Sequence, residues 1–244
     1  MPVYRGGRAI YGEAIGIMVL DTQFPRVPGD IGNASTFDFP VRVRVVAGAT
    51  VQRVVQEGDE SLLPEFIEAA KELEAAGARA ITTSCGFLVA FQKQLSRAVS
   101  LPIFTSSLLQ VPMVSRMLPE NKKVGILVMD SRRFAKSHLR SAGITDEPIV
   151  IMGAEEAPDF YGAYENPAGT TEIDSEKLER VVIAMVKHLV QKNPEVGAIV
   201  CEGINFAPYA AGVQEAIGLP WFDIVDLTKL VYSAVVKKRY VGFL

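Results

Sequence analysis

The chain has 244 residues, of which 49% are hydrophobic and 22% charged, with a formal net charge of −3. This balance is typical of a folded globular protein and argues against a disordered chain. The composition gives no broad basic surface for nucleic acid and no apolar run long enough to span a membrane, so we expect no nucleic-acid partner, no membrane partner and a cytoplasmic location.

Alternating strands and helices are predicted in the first half of the chain. The first apolar run, residues 15–20, predicts a buried strand that ends at Asp21 and Thr22. Residues 22–40 are rich in Pro, Gly and Asn and predict a structured loop over a cleft. The alternation in PVRVRVV, residues 40–46, then predicts a strand with one polar face. An amphipathic helix follows, with its apolar positions at Leu62, Phe66, Ile67, Ala70 and Leu73.

The second half repeats this order. Residues 124–129 predict a strand that ends at Asp130 and Ser131, and residues 153–174 predict a second covering loop. A helix is then predicted from three-four spacing of apolar residues. These are Leu178, Val181, Val182, Met185, Val186 and Leu189.

Two stretches of the second half match two stretches of the first. GIMVLDT at 16–22 matches GILVMDS at 125–131, and residues 80–104 align without a gap with residues 198–222. One α/β unit therefore occurs twice, which predicts an α/β fold of two pseudo-symmetric Rossmann-like lobes with parallel sheets. We assign residues 1–115, completed by a C-terminal helix at 225–244, to the first lobe and residues 116–224 to the second.

Ligands of parallel sheets bind outside the carboxyl ends of the strands. The two Asp-hydroxyl pairs and the two aligned motifs, TTSCGF and CEGIN, all follow predicted strands. We therefore expect the active site in the cleft between the lobes, with Cys85 as its thiol.

The order of these motifs resembles the aspartate/glutamate/hydantoin racemase superfamily, which also includes arylmalonate decarboxylase and maleate isomerase. The resemblance covers nearly the whole chain, through LDT, GDIGNASTFDFPV, TTSCGF, GILVMDS and EGINFAPYA. It implies an enzyme that acts at a carbon next to a carboxylate or amide without a metal or any other cofactor. In that family a cysteine from each lobe stands on opposite faces of the substrate, and subunit pairing to a homo-oligomer is common.

The resemblance and the strand-end positions together give a set of candidate residues. Cys85 is the predicted catalytic group, and we expect the following helix to lower its pKa. A small carboxylate is the predicted substrate. The predicted substrate-binding residues are Asp21, Thr22, Thr83, Ser84, Gly86, Asp130, Ser131, Glu202, Gly203 and Asn205.

The second cysteine of the family pattern is missing, because Gly203 aligns with Cys85. Cys201 lies two residues earlier, in an apolar run typical of a core. Three interpretations follow: a racemase or isomerase, as the family implies; a single-thiol decarboxylase or lyase; and a protein that binds a small carboxylate without turnover. Glu202 or Asp130 could replace the missing acid or base.

Overall fold

The computed structural model describes residues 3, 6–166 and 170–243, and it folds into two parallel four-stranded sheets with flanking helices. The strands are β1 (Ile15–Leu20), β2 (Val41–Val46), β3 (Ala80–Thr83), β4 (Ile103–Phe104), β5 (Lys123–Val128), β6 (Ile149–Gly153), β7 (Val196–Cys201) and β8 (Trp221–Phe222). The helices are α1 (Leu63–Ala76), α2 (Gln92–Ala98), α3 (Val111–Met117), α4 (Lys136–Ser141), α5 (Pro158–Glu165), α6 (Ser175–Lys192), α7 (Ala210–Ile217) and α8 (Ile224–Val235).

The two sheets have the same topology. Their strand orders are β2-β1-β3-β4 and β6-β5-β7-β8, and every neighbouring pair is parallel. Each strand of the first sheet thus has an equivalent in the second, so the sequence repeat is a structural repeat. The predicted α/β fold of two similar lobes is confirmed.

A glycine at the same place in both lobes lets a helix lie close to the central strand. A Cβ atom on Gly16 of β1 would lie 3.1 Å from Leu73 of α1, and one on Gly125 of β5 would lie 3.3 Å from Leu189 of α6. Both distances are tighter than ordinary contact. The GI(M/L)V pattern therefore serves helix–sheet packing as well as strand formation.

The C-terminal helix packs on the first sheet. Ile224 and Val225 of α8 share an apolar cluster with Ile15 and Ile17 of β1. The helix ends at Val235, short of the predicted 244, and the exposed cations 237–239 follow its cap residue Val236.

The segment 153–174, predicted as a covering loop, contains the helix α5. Pro158 fits the first turn of that helix, where a missing N–H costs nothing. Phe160 and Tyr164, four residues apart, share its buried face. The 22–40 loop, in contrast, consists of turns and irregular backbone with one short 3₁₀ helix at Ala34–Thr36. None of the helices in the described part of the chain is long and apolar enough to cross a membrane.

Candidate active site

The ends of the central strands are tied by the same kind of bond in both lobes. In the first lobe the Leu20 N–H donates to Ser84 Oγ at 2.9 Å. In the second, the Met129 N–H donates to Glu202 Oε2 at 3.3 Å. These four residues occupy equivalent positions in the repeat, so Glu202 stands where the first lobe has a hydroxyl. Its longer side chain carries a second oxygen, Oε1, beyond the strand end.

A small cavity lies between these two strand ends, with a volume of about 20 Å³. That is room for about one water molecule, so a larger ligand must displace side chains of the wall. Seven of the predicted site residues line it: Thr22, Ser84, Cys85, Gly86, Glu202, Gly203 and Asn205.

Cys85 is held at the end of β3 by its neighbour Thr83. The Thr83 hydroxyl donates to the backbone oxygen of Thr105 at 2.8 Å and accepts from the Cys85 N–H at 3.3 Å. Thr83 is buried and braces the turn, and it does not line the cavity. Cys85 as a whole is only 7% exposed. The hydrogen bonds of Thr83 to the backbone therefore fix the position of Cys85 at the cavity.

The pKa of Cys85 is raised, although the sequence predicts a lowered one. Burial raises it most, and the negative charge of Glu202 raises it further, while the N–H groups of Phe87 and Leu88 oppose the shift. The residues after Cys85 form a tight 3₁₀ turn, Gly86–Phe91, and its few N–H dipoles do not outweigh desolvation. The raised pKa favours the neutral thiol over the thiolate.

Glu202 lies directly against the turn that carries the thiol. A Cβ atom on Gly86 would come within 2.4 Å of Glu202 Oε1. Only glycine therefore permits this approach. Burial raises the pKa of Glu202 to about 8, with the charge of Glu165 adding to the effect and the Met129 N–H opposing it. Glu202 thus titrates near neutral pH beside Cys85.

Gly203 leaves no space for a second thiol. A Cβ atom there would lie 2.8 Å from Met129 Sδ and 2.8 Å from Phe206 Cε2. Cys201 does not substitute for it, because it is fully buried among core residues and does not line the cavity. The cavity therefore has a thiol on one side only.

The Asp-hydroxyl pair of the second lobe lies outside the cavity wall. Buried Asp130 accepts from Arg132 and from the Tyr161 hydroxyl, each at 2.7 Å, and these bonds outweigh burial and lower its pKa to about 2. Ser131 donates to Glu155. These two residues hold the chain around α5 and do not line the cavity.

In the Asp-hydroxyl pair of the first lobe, one residue lines the cavity and the other does not. Asp21 is exposed and accepts from the Gly48 N–H at 3.3 Å, away from the cavity. Thr22 lines the cavity, and its hydroxyl accepts from Arg26 at 3.0 Å. Arg26 is itself paired with Asp30 at 2.9 Å.

Several wall residues were not predicted from the sequence. They are Phe24 and Arg26 from the 22–40 loop, Met129 after β5, and Tyr164 and Glu165 at the end of α5. Phe24 and Tyr164 meet edge to face with their ring centroids 5.1 Å apart. The signal available in the sequence was the lone acid in the aromatic run FYGAYEN, within a segment expected to cover the ligand.

Three polar atoms of the cavity wall are buried without a partner among the described residues. They are Glu165 Oε2, Glu202 Oε1 and Asn205 Nδ2. Buried polar groups normally form hydrogen bonds, and a group left without one marks the place of a ligand or water. The three converge on the cavity that holds Cys85, which makes this cavity the candidate active site.

No group of three His, Cys, Asp or Glu side chains within residues 6–166 and 170–243 is arranged to hold a metal ion. The thiol and carboxyl groups in the wall are those of Cys85, Glu165 and Glu202.

Comparisons with known proteins identify the fold, and the similar proteins are named as enzymes. No family model matches the chain. Among solved structures, a glycine-to-cysteine mutant of arylmalonate decarboxylase in its sulfate-associated form matches with a TM-score of 0.58, 17% identity, and coverage of 92% of this chain and 94% of that one. Aspartate racemase from Picrophilus torridus matches with a TM-score of 0.55, 14% identity and the same coverage. The chain has the fold of the aspartate/glutamate racemase superfamily.

Curated relatives by sequence carry a lyase name. A dimethylsulfoniopropionate lyase from Durusdinium sp. clade D is 28% identical over 220 residues, which are 87% of this chain and 71% of that protein. Dimethylsulfoniopropionate lyase 7 from Emiliania huxleyi is 27% identical over 240 residues, covering 94% of this chain and 69% of that protein. The comparisons support an enzyme, and these names are those of lyases.

Proposed function

We propose that this protein is a lyase that removes a proton next to a carboxylate and expels a group from the neighbouring carbon. The first candidate substrate is dimethylsulfoniopropionate or a propionate of similar charge. The observation that carries the proposal is the one-sided cavity, with Cys85 on one face and Gly203, closed off by Met129, at the equivalent position.

Elimination fits a one-sided site because it needs a single base. Racemisation needs a second group to return the proton from the opposite face. In elimination the proton leaves the α-carbon, its electron pair forms the carbon–carbon double bond, and the bond to the leaving group breaks. For dimethylsulfoniopropionate the products are acrylate, neutral dimethyl sulfide and one proton, so atoms and charge balance.

Cys85 is the proposed base, and the substrate itself helps to ionise it. Burial and the charge of Glu202 hold the pKa of the thiol high. A cationic substrate group lowers the pKa of a neighbouring thiol, since it stabilises the thiolate. Glu202 in its neutral form removes the repulsion, so the thiol and this carboxyl together hold one negative charge more easily than two. The thiolate takes the α-proton and later returns it to solvent.

The substrate carboxylate requires hydrogen-bond donors at the opposite end. Asn205 Nδ2 is a buried donor without a partner among the described residues, and Ser84 adds a hydroxyl in the cavity wall. Donors that are already in place also stabilise the charge that develops on the carboxylate as the proton leaves. We assign carboxylate binding to these two residues.

The test is a product assay in deuterium oxide. Purified protein is mixed with dimethylsulfoniopropionate, and acrylate is followed by NMR while dimethyl sulfide is measured in the headspace. We expect Cys85→Ala to reduce the rate at least about 100-fold, as for the loss of a general base. Cys201→Ala, the matched control, should stay within about threefold of the unaltered protein because Cys201 lies in the core, outside the cavity.

The same sample distinguishes the other interpretations. Deuterium at the α-carbon of an amino acid or hydantoin, without elimination, would favour the racemase predicted from the sequence. Release of carbon dioxide from a malonate would favour a decarboxylase. A lyase rate equal in Cys85→Ala and the unaltered protein would contradict the proposed role of the thiol.

A further inference from the structure

We propose that Glu165, with the aromatic rings of Phe24 and Tyr164, forms a subsite for the positively charged group of the substrate. This inference rests on the proposed function and adds the residues that bind the cation of a substrate with a quaternary sulfonium or ammonium group two carbons from its carboxylate.

The first argument is the position of the Glu165 carboxyl. Glu165 is the last residue of α5, its side chain lines the cavity, and the residue is only 5% exposed. Its Oε2 is buried and has no hydrogen-bond partner among the described residues. An uncompensated buried carboxyl costs stability, and a ligand cation is a group that would compensate it.

The second argument is the charge around Glu165. Burial raises the pKa of Glu165 to about 8 and the charge of Asp130 adds to this, while Arg133 and a hydrogen bond from Gln56 oppose it. Arg133 lies 3.4 Å from Asp130, so its charge is shared with a second carboxylate. Glu202, across the cavity, adds another acid. The cavity thus has an excess of acidic groups.

The third argument is the neighbouring aromatic pair. Phe24 and Tyr164 both line the cavity, and the Arg26 guanidinium already lies 4.6 Å from the centroid of the Phe24 ring. Aromatic faces attract cations, and the attraction is stronger where water is excluded. Arg26 does not repel a ligand cation strongly, because Asp30 neutralises it at 2.9 Å.

These features give the two ends of the substrate different binding positions in the cavity. A methylated sulfonium or ammonium group forms no hydrogen bonds, so it suits one carboxylate oxygen beside aromatic rings. Asn205 Nδ2 and Ser84 suit the carboxylate end. Cys85 and Glu202 then lie beside the carbons between the two ends.

The test compares two ligands of nearly the same shape. These are 3-(trimethylammonio)propionate, which carries the cation, and 4,4-dimethylpentanoate, in which a tert-butyl group replaces it. Binding is measured by calorimetry just above pH 8, where the Glu165 carboxylate is populated. We expect the cation to bind at least about tenfold more tightly than the neutral analogue, as for a desolvated charge pair.

Substitutions then test whether Glu165 is the residue that causes the preference for the cation. Glu165→Gln should weaken the cation at least about tenfold and change the neutral analogue less than about threefold. Glu156→Gln, which removes an exposed carboxylate just before the same helix, is the control and should change neither. Circular dichroism establishes that both variants fold.

Three results would overturn the subsite. They are equal binding of the two ligands by the unaltered protein, no binding of the cation in the millimolar range, and an equal loss of both ligands in Glu165→Gln. The comparison on the unaltered protein needs no variant, so a misfolded Glu165→Gln does not remove the test. Because no turnover is required, the subsite can fail while the lyase assay succeeds, and the reverse also holds.

Discussion

Gly203 and Met129 decide how many proton-transfer groups the cavity holds. The Met129 thioether fills the space that a side chain at position 203 would need. Position 203, the equivalent of Cys85, therefore lacks the space for a thiol side chain as well as the thiol itself. Restoring a thiol at 203 requires a smaller residue at 129 and a shift of the Phe206 ring.

This arrangement predicts a measurable coupling in stability. Gly203→Ala should lower the free energy of unfolding by about 1–3 kcal/mol, since the new Cβ overlaps with Met129 and Phe206. Phe206 cannot move easily because it is stacked on Phe160 with centroids 4.6 Å apart. Met129→Ala leaves a void, so it should be destabilising alone but partly relieve Gly203→Ala.

The measurement is urea unfolding of the two single variants and the double variant. We expect the double variant to be at least about 0.5 kcal/mol more stable than the sum of the single effects predicts, as for residues in direct contact. Gly162→Ala is the control for a glycine-to-alanine change, because its Cβ would meet no atom within 4 Å. Additive effects at 203 and 129 would contradict the filled-space explanation.

Helix α5 carries two wall residues and is tied to the strand end of the second lobe through one hydroxyl. Tyr161 donates to Asp130 at 2.7 Å, and Arg132 lies over the Tyr161 ring at 5.4 Å from its centroid. This network sets the position of Tyr164 and Glu165, which lie within the next turn. Asp130 therefore acts on the ligand through α5.

Tyr161→Phe is expected to weaken ligand binding more than it lowers the rate at saturation. The bond to Asp130 is lost and α5 holds Glu165 less firmly, so the Kd for 3-(trimethylammonio)propionate should rise about threefold to tenfold, the equivalent of one ordinary hydrogen bond. Tyr232→Phe in α8, where the ring stacks on Phe39, is the control. An unchanged Kd in Tyr161→Phe would show that α5 is held by packing alone.

The parts of the fold that recur in the chain were predictable from the sequence, because two copies of one pattern report on each other. The strands ending at Asp21 and Asp130, and the thiol of Cys85 at a strand end, follow from that repeat. The Phe24 loop and helix α5 were expected to be counterparts, but the loop joins β1 to β2 whereas α5 follows β6, and their side chains reach the cavity through long-range packing. The raised pKa of Cys85 was missed for the same reason, since burial and Glu202 are tertiary effects.

Acidic groups are buried in the cavity between the two lobes, and their ionisation determines how the stability of the whole molecule depends on pH. Glu165 and Glu202 each have a pKa near 8 in the folded chain, against an ordinary value of 4.5. The folded state therefore holds more protons than the unfolded state between these values. Stability must fall as pH rises through this range, by at most about 1.4 kcal/mol per pH unit for each group.

Other groups act at lower pH. The pKa of Asp130 is lowered to about 2, so its contribution to stability is present above about pH 4 and is lost as the pH falls towards 2. Burial lowers the pKa of His138, which opposes the effect of the glutamates below its ordinary value of 6.5. Burial also raises the pKa of Asp223, and that of Asp226 to about 6. The glutamate-to-glutamine variants therefore assign the slope between pH 6.5 and 8 to Glu165 and Glu202.

We expect the free energy of unfolding to decrease steadily from pH 6.5 to pH 8, as measured by urea unfolding at each half unit. Glu165→Gln and Glu202→Gln should each flatten the decrease, because an amide has no proton to lose, whereas Glu156→Gln should leave the slope unchanged. A saturating cationic carboxylate should also reduce the slope, since it stabilises the ionised form of Glu165 in the folded state. A stability that is flat or rises across this interval in the ligand-free protein would show that the two buried carboxyls are already ionised at pH 6.5, and that a cation has no buried proton to replace.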